Sequence, residues 1–130
     1  MIEFRIDGRS GVAPYLQLVQ QVRGALRLGL LQEGDQLPTA KDVVAQVAIN
    51  PNTVRKAYRA LEHEGLVAGR PGVGTFVTKS LARVPVGSHR LLARSLARFV
   101  AKARGAGLLD DDIRALLEST LRDQRVEGVA

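Results

Sequence analysis

The sequence predicts an α+β chain: three helices, a β-hairpin, then two more helices. Three observations predict it. Apolar residues recur at helical spacing in five stretches. Two strong helix starts, Thr39 and Asn50-Pro51, lie close together and leave room for only a short helix between them. Leu66-Val67-Ala68 and Gly74-Thr75-Phe76-Val77-Thr78 are short strand-like runs on either side of a glycine-rich centre.

The elements follow in order. Ile2-Glu3-Phe4-Arg5-Ile6 alternates as a strand does and stops at the turn pair Asp7-Gly8. Pro14 opens the first helix, where its missing N–H costs nothing, and Tyr15, Val19, Val22 and Leu26 share one face. That helix fades between Gly29 and Gly34. Asp35-Gln36-Leu37-Pro38 reads as a turn. Thr39 is an N-cap with Asp42 three residues on, a shortened capping box, and Val43, Val44 and Val47 give the short helix its apolar side. Asn50 caps the third helix and Pro51 takes its first position. Val54, Ala57, Tyr58 and Leu61 point inward, and Gly65 stops the helix after about Glu64. Gly69-Arg70-Pro71-Gly72-Val73 is the expected hairpin tip. Val84-Pro85-Val86-Gly87 breaks both periodicities and reads as a linker, so the expected domains are 1–79 and 88–130, joined by 80–87. Ser88 is expected to cap a fourth helix that carries Leu92, Leu96, Phe99, Val100 and Ala103 and ends at Gly105 and Gly107. Asp110-Asp111-Asp112 favours the start of a fifth, with Ile113, Leu116, Leu117 and Leu121 as its stripe.

Length and composition exclude several classes. The 130 residues suit one domain, or a small domain with an appendage. With no cysteine, disulfides, cysteine-ligated zinc and thiol nucleophiles are all excluded. The longest apolar run is three residues, too short to span a membrane. Met1-Ile2-Glu3-Phe4-Arg5 lacks a signal-peptide core, so the expected location is the cytoplasm. His63 and His89 stand in different helices and in no metal motif. The three adjacent aspartates point in different directions on a helix and suit capping better than a cation. Neither a nucleophile–base arrangement nor a phosphate-binding loop ending in Gly-Lys-Ser is present. Hence no metal, no cofactor and no enzymatic activity are expected.

Charge is unevenly placed. Residues 1–49 are neutral overall. Residues 50–79 carry five basic and two acidic side chains. Residues 80–109 carry six basic and none acidic, and residues 110–130 return to net negative. A polyanion is the partner such blocks suit. Two short helices joined by about four residues, the second opening on polar side chains, describe a helix-turn-helix, and the hairpin after it has the size of a wing. Asn52, Thr53, Arg55 and Lys56 open that second helix. Such side chains hydrogen-bond base edges and phosphates in a major groove. Arg59 continues the basic side, with Glu62 and Glu64 towards the far end, and Arg70 supplies charge on the wing. Double-stranded DNA is therefore the expected partner. The rival reading is a winged-helix module that binds protein without DNA.

Several motifs also resemble a family. They are Pro14-Tyr15-Leu16-Gln17, Gly34-Asp35-Gln36-Leu37-Pro38-Thr39, Asn50-Pro51-Asn52-Thr53-Val54-Arg55-Lys56-Ala57-Tyr58, Leu61-Glu62, Glu64-Gly65-Leu66-Val67 and Gly72-Val73-Gly74-Thr75-Phe76-Val77. Together they resemble the N-terminal domain of GntR-family bacterial transcription regulators over residues 10–78, most like the YtrA subfamily. The resemblance implies a winged helix that binds an inverted-repeat operator as a homodimer, usually as a repressor. It matches Asn50, Asn52, Thr53 and Arg55 to recognition-helix positions, and Gly72 and Gly74 to the wing tip. Lys41 stands where members commonly have a phosphate-contacting arginine. It keeps the charge but loses the bidentate fork. Pro51 replaces an arginine of other branches, so that base contact is expected to be missing.

Two tail helices cannot enclose a ligand pocket by themselves. Their stripes, Leu92, Leu96, Phe99 and Val100 with Ile113, Leu116, Leu117 and Leu121, are expected to pair with the same helices of a second copy. Any small-molecule effector is then expected between winged helix and tail or between tails, with residues 84–87 as the pivot. Arg90, Arg94, Arg98 and Lys102 recur every four residues. This ladder suits a solvated face, the acidic fifth helix of a partner, or DNA flanking an operator.

Overall fold

The computed structural model describes residues 2–83, 85 and 87–129, and side chains up to residue 125. The elements run α1 (Pro14–Leu28), α2 (Ala40–Val47), α3 (Pro51–His63), β1 (Val67–Arg70), β2 (Gly74–Val77), α4 (Ser88–Gly105) and α5 (Asp110–Val129). The chain divides into two compact units, Met1–Gly87 and Ser88–Ala130. The first is a three-helix unit with a hairpin wing. The second is a pair of helices. Of the expected pivot, Val84 and Val86 lie outside the described residues.

In the first unit, Leu18, Val22 and Leu26 of α1 are fully buried with Val43 of α2 and with Val54, Ala57 and Leu61 of α3. Apolar positions three and four apart put one stripe of each helix inward, so burial is what holds the three together. The helix ends are chemically specified. The Thr39 hydroxyl accepts from Asp42 N at 3.1 Å while the Asp42 carboxylate accepts from Thr39 N at 3.3 Å, a complete capping box. Asn50 Oδ1 accepts from Asn52 N at 2.8 Å, ahead of Pro51. At the end of α3, Gly65 takes φ +77, Gly65 N donates to Glu62 O and Leu66 N donates to Leu61 O. This Schellman closure turns the chain straight into β1.

The hairpin pairs Val67 with Val77 and Arg70 with Gly74. Its tip is tighter than expected, because Gly69 and Arg70 belong to β1 and only Pro71, Gly72 and Val73 form the turn. Val73 N donates to Arg70 O at 2.9 Å, closing that turn. The segment before α2 is more than a turn. Leu37 N donates to Thr75 O, Val77 N to Asp35 O and Gly34 N to Val77 O, so it lies along the free edge of β2. Gln36 Nε2 donates to Val73 O at 3.2 Å and passes over Gly74. One residue further, Pro38 O accepts from the Tyr58 hydroxyl at 2.6 Å.

Two expectations need correction. Residues 2–6 alternate in burial around Phe4, which is 3% exposed, yet they form no strand. Their backbone is bound by glutamine side chains in place of a sheet neighbour. Gln21 accepts from Arg5 N and donates to Arg5 O, while Gln46 accepts from Phe4 N. Buried Gln17 accepts from Asp7 N and donates to the Asp7 and Val12 carbonyls and to Ser10 Oγ, which fixes the following loop. Ser88 is the first residue of α4 and not its cap.

In the second unit Ala103 and Ile113 are buried where α4 meets α5. Asp112 accepts from Leu109 N at 2.9 Å and Asp110 accepts from Arg104 at 3.0 Å, so two of the three aspartates tie down the helix start.

Burial first, and the Asp42 carboxylate second, push the Tyr58 phenol above its ordinary range, so it remains a protonated donor. Tyr58→Phe should cost about 0.5–1.5 kcal/mol at neutral pH. Because the folded value is the raised one, the unfolded chain ionises first, and wild-type stability falls once the pH passes about 10. The gap between wild type and Tyr58→Phe in urea unfolding should therefore narrow from pH 8 to pH 11. An equal gap at both pH values would mean the phenol titrates alike in both states.

Gly74 combines φ +143 with a Cβ position only 2.4 Å from Gln36 Nε2. Gly74→Ala should cost about 2 kcal/mol, part from φ strain and part from displacing the Gln36 amide. In a Gln36→Ala background the same substitution should cost less, leaving the strain alone. Equal costs in the two backgrounds would remove the side-chain clash from the explanation.

Candidate nucleic-acid interface

The polar face of α3 is set by its apolar one. With Val54, Ala57 and Leu61 buried, Asn52, Arg55, Lys56 and Arg59 are left exposed, and Thr53 sits half-buried at the flank. The Asn50 cap and Pro51 fix the first turn: Asn52 N donates to Asn50 Oδ1 and Thr53 N to Asn50 O, so what this end offers an anion is the positive pole of the helix dipole. Arg55 Nη1 donates to Asn52 Oδ1 at 2.9 Å, so the guanidinium is steered along the helix surface.

A groove of about 530 Å³ runs between α3, the start of α2 and β2. Asn52, Arg55 and Arg59 line one side, and Thr39, Gly74 and Thr75 line the other. A second groove, of about 630 Å³, follows the hairpin past Arg70, Gly72 and Gly74. The Arg70 guanidinium lies 4.7 Å from the Phe76 ring centroid, which holds it over the wing face. Gly72 takes φ +74 at the exposed turn, next to Pro71.

Other expected residues lie apart from these grooves. Lys56 Nζ sits 4.1 Å from the Tyr15 ring centroid, drawn towards α1. Lys41 is exposed on the first turn of α2, and Asn50 is occupied as a cap. On the tail, Leu92, Leu96 and Phe99 of α4 and Leu116, Leu117 and Leu121 of α5 are exposed. Val100 is half-buried and Ile113 buried.

Glu62, read from the sequence only as the far end of the helix, was missed as a site residue. It lines both grooves, and its Oε1 accepts from Gly69 N at 3.4 Å, tying α3 to β1. Only the hairpin's return onto α3 brings it there, and periodicity carries no such signal. Arg23 was also missed. Its guanidinium forms a two-pronged ion pair with Glu64, bridging α1 to the end of α3. Among the described residues no group of His, Asp or Glu side chains is placed to hold a metal ion, and no helix is long and apolar enough to cross a membrane.

A basic helix face beside a basic hairpin can take up phosphate charge and present donors to base edges. The comparisons agree with this chemistry. The model of the family described as bacterial regulatory proteins, gntR family, matches residues 14–77. The chain is 32% identical over 105 residues to the HTH-type transcriptional repressor YtrA of Bacillus subtilis, covering 80% of this chain and 81% of that protein. Among solved structures it is similar to YtrA from Sulfolobus acidocaldarius, a GntR-family transcription factor. The TM-score is 0.56 at 25% identity, over 77% of this chain and 99% of that one. It is also similar to the AraR DNA-binding domain in complex with operator ORX1. There the TM-score is 0.53 at 25% identity, over 59% of this chain and 96% of that one. The chain therefore belongs to the gntR family of bacterial regulatory proteins, as a YtrA-like, DNA-binding transcription regulator and not an enzyme.

Proposed function

We propose that the chain is a repressor that binds an inverted-repeat operator as a homodimer, with α3 in the major groove and the hairpin on the flanking backbone. One observation carries this reading. Asn52, Arg55 and Arg59 share an exposed face of a helix whose other face is locked in the core, beside a hairpin bearing Arg70. The likeness to a protein named as a repressor supports the sign of regulation.

Within this reading residues 1–79 contact DNA. Arg55 reads a base edge, Arg59 and Arg70 neutralise phosphates, and Lys41 and Lys56 add charge at the rim. Asn50 and Thr53 set the helix entry, and Gly72 and Gly74 let the wing backbone come close. Because Asn52 Oδ1 is already engaged by Arg55, the pair presents mainly donors, the complement of guanine O6 and N7.

Residues 88–130 dimerise. Leu92, Leu96 and Phe99 are 62%, 50% and 37% exposed, and Leu116, Leu117 and Leu121 are 43%, 42% and 49% exposed. Six large apolar side chains on one hairpin form a patch that soluble chains cover, and each gains about 1.5–3 kcal/mol on full burial. Two-fold pairing covers them and supplies two reading heads for two half-sites.

Arg55→Ala should cost about 1–3 kcal/mol on DNA from upstream of the chain's own reading frame and relax preference at one base pair. Equal weakening on random duplex would assign Arg55 to phosphate, and unchanged binding would remove α3 from the major groove. Light scattering tests the dimer. Wild type should have twice the chain mass, and the Leu96→Glu, Phe99→Glu double variant should be monomeric at the same concentration. A dimeric double variant would place the interface elsewhere.

A further inference from the structure

We infer that the exposed face of α4 is a second DNA surface, on which Arg90, Arg94, Arg98 and Lys102 bind the phosphate backbone without regard to sequence. All four side chains are exposed. They recur every four residues, so they follow one side of the helix over about 18 Å, roughly five base-pair steps of duplex. The apolar residues Leu92, Leu96 and Phe99 occupy the opposite side, which leaves the basic face available when the apolar one is covered.

At the start of α5 the counter-charge is already engaged. No acidic residue falls between residues 80 and 109. Asp110 holds Arg104, Asp111 holds Arg114, and Asp112 caps Leu109 N. Among the described residues none of the four ladder cations forms an ion pair, and Arg98 reaches only the Ser95 hydroxyl at 3.4 Å. Repulsion along an i, i+4 row of like charges is mildly destabilising to the helix. A dense anion relieves it, and the family's ligand is a polyanion with a fixed charge spacing. The acidic start of α5 is the competing occupant, and its carboxylates are engaged within their own hairpin.

The inference rests on the DNA-binding reading but involves different residues from α3. Its test is the salt dependence of binding by the full chain, measured by fluorescence anisotropy on a long duplex of random sequence. Each phosphate contact contributes about 0.9 to the slope of log affinity against log salt. Replacing all four residues by glutamine should lower the slope by roughly 3–4 per chain. Replacing the three arginines by lysine should restore it. Helicity and mass measurements on both variants confirm the fold and assembly.

A slope reduced by less than about 1 per chain would overturn the proposal. So would an unchanged slope accompanied by loss of the dimer, which would assign the ladder to the partner's α5. Failure of the underlying reading looks different. Wild type would then bind upstream DNA no better than random duplex, whatever the glutamine variant does.

Discussion

The reading surface holds its angles chiefly through residues 34–39. Gly34, Asp35 and Leu37 bond the outer edge of β2, and Gln36 reaches over Gly74 to Val73. Leu37 and Pro38 are fully buried. Pro38 O takes the Tyr58 hydroxyl from α3, and Thr39 then caps α2. Three elements that otherwise meet through apolar contact and the single bond from Gly69 N to Glu62 are thereby joined by further directional bonds. Apolar burial holds α2, α3 and the hairpin together but leaves their relative angles loosely set. The hydrogen bonds of this short segment fix those angles, and with them the width of the groove bounded by Asn52, Arg55 and Gly74.

Helix limits were the most legible part of the sequence, because caps are local chemistry. Thr39 with Asp42, Asn50 with Pro51, and Gly65 each act within a few residues of themselves, so no knowledge of the fold is needed to read them. The inward stripes of α1 and α3 were legible for the same reason. Residues 2–6 show the opposite case. Their alternation is real, but alternation records which side is buried and not what the backbone bonds to. Glutamines 42 and 16 residues away supply those bonds to Phe4 and Arg5. The edge pairing of residues 34–37 was hidden likewise, since its partner lies on a distant hairpin.

The site was legible in part. Residue type and position at a helix start point to Asn52 and Arg55, and the structure sets them side by side. Lys56 belongs to the same run, yet Tyr15 draws it to α1. Glu62 was discounted as the far end of a helix, yet the return of the hairpin makes it a wall of both grooves. Both differences come from tertiary proximity, which neither composition nor spacing encodes.

The separation between the two faces of α3 bears on how such a regulator changes its target. Val54, Ala57 and Leu61 carry the helix's packing, and Asn50 with Pro51 carries its start. Asn52 and Arg59 carry neither, and Arg55 bonds only to Asn52. Exchange at those three positions leaves core and caps intact, so target preference can drift across generations at little cost in foldedness. The same freedom stops at Glu62 and Gly74, where the reading surface is also the joint between helix and hairpin. Variation in what is read is thus channelled into a few side chains, while the angle at which they are offered stays constant.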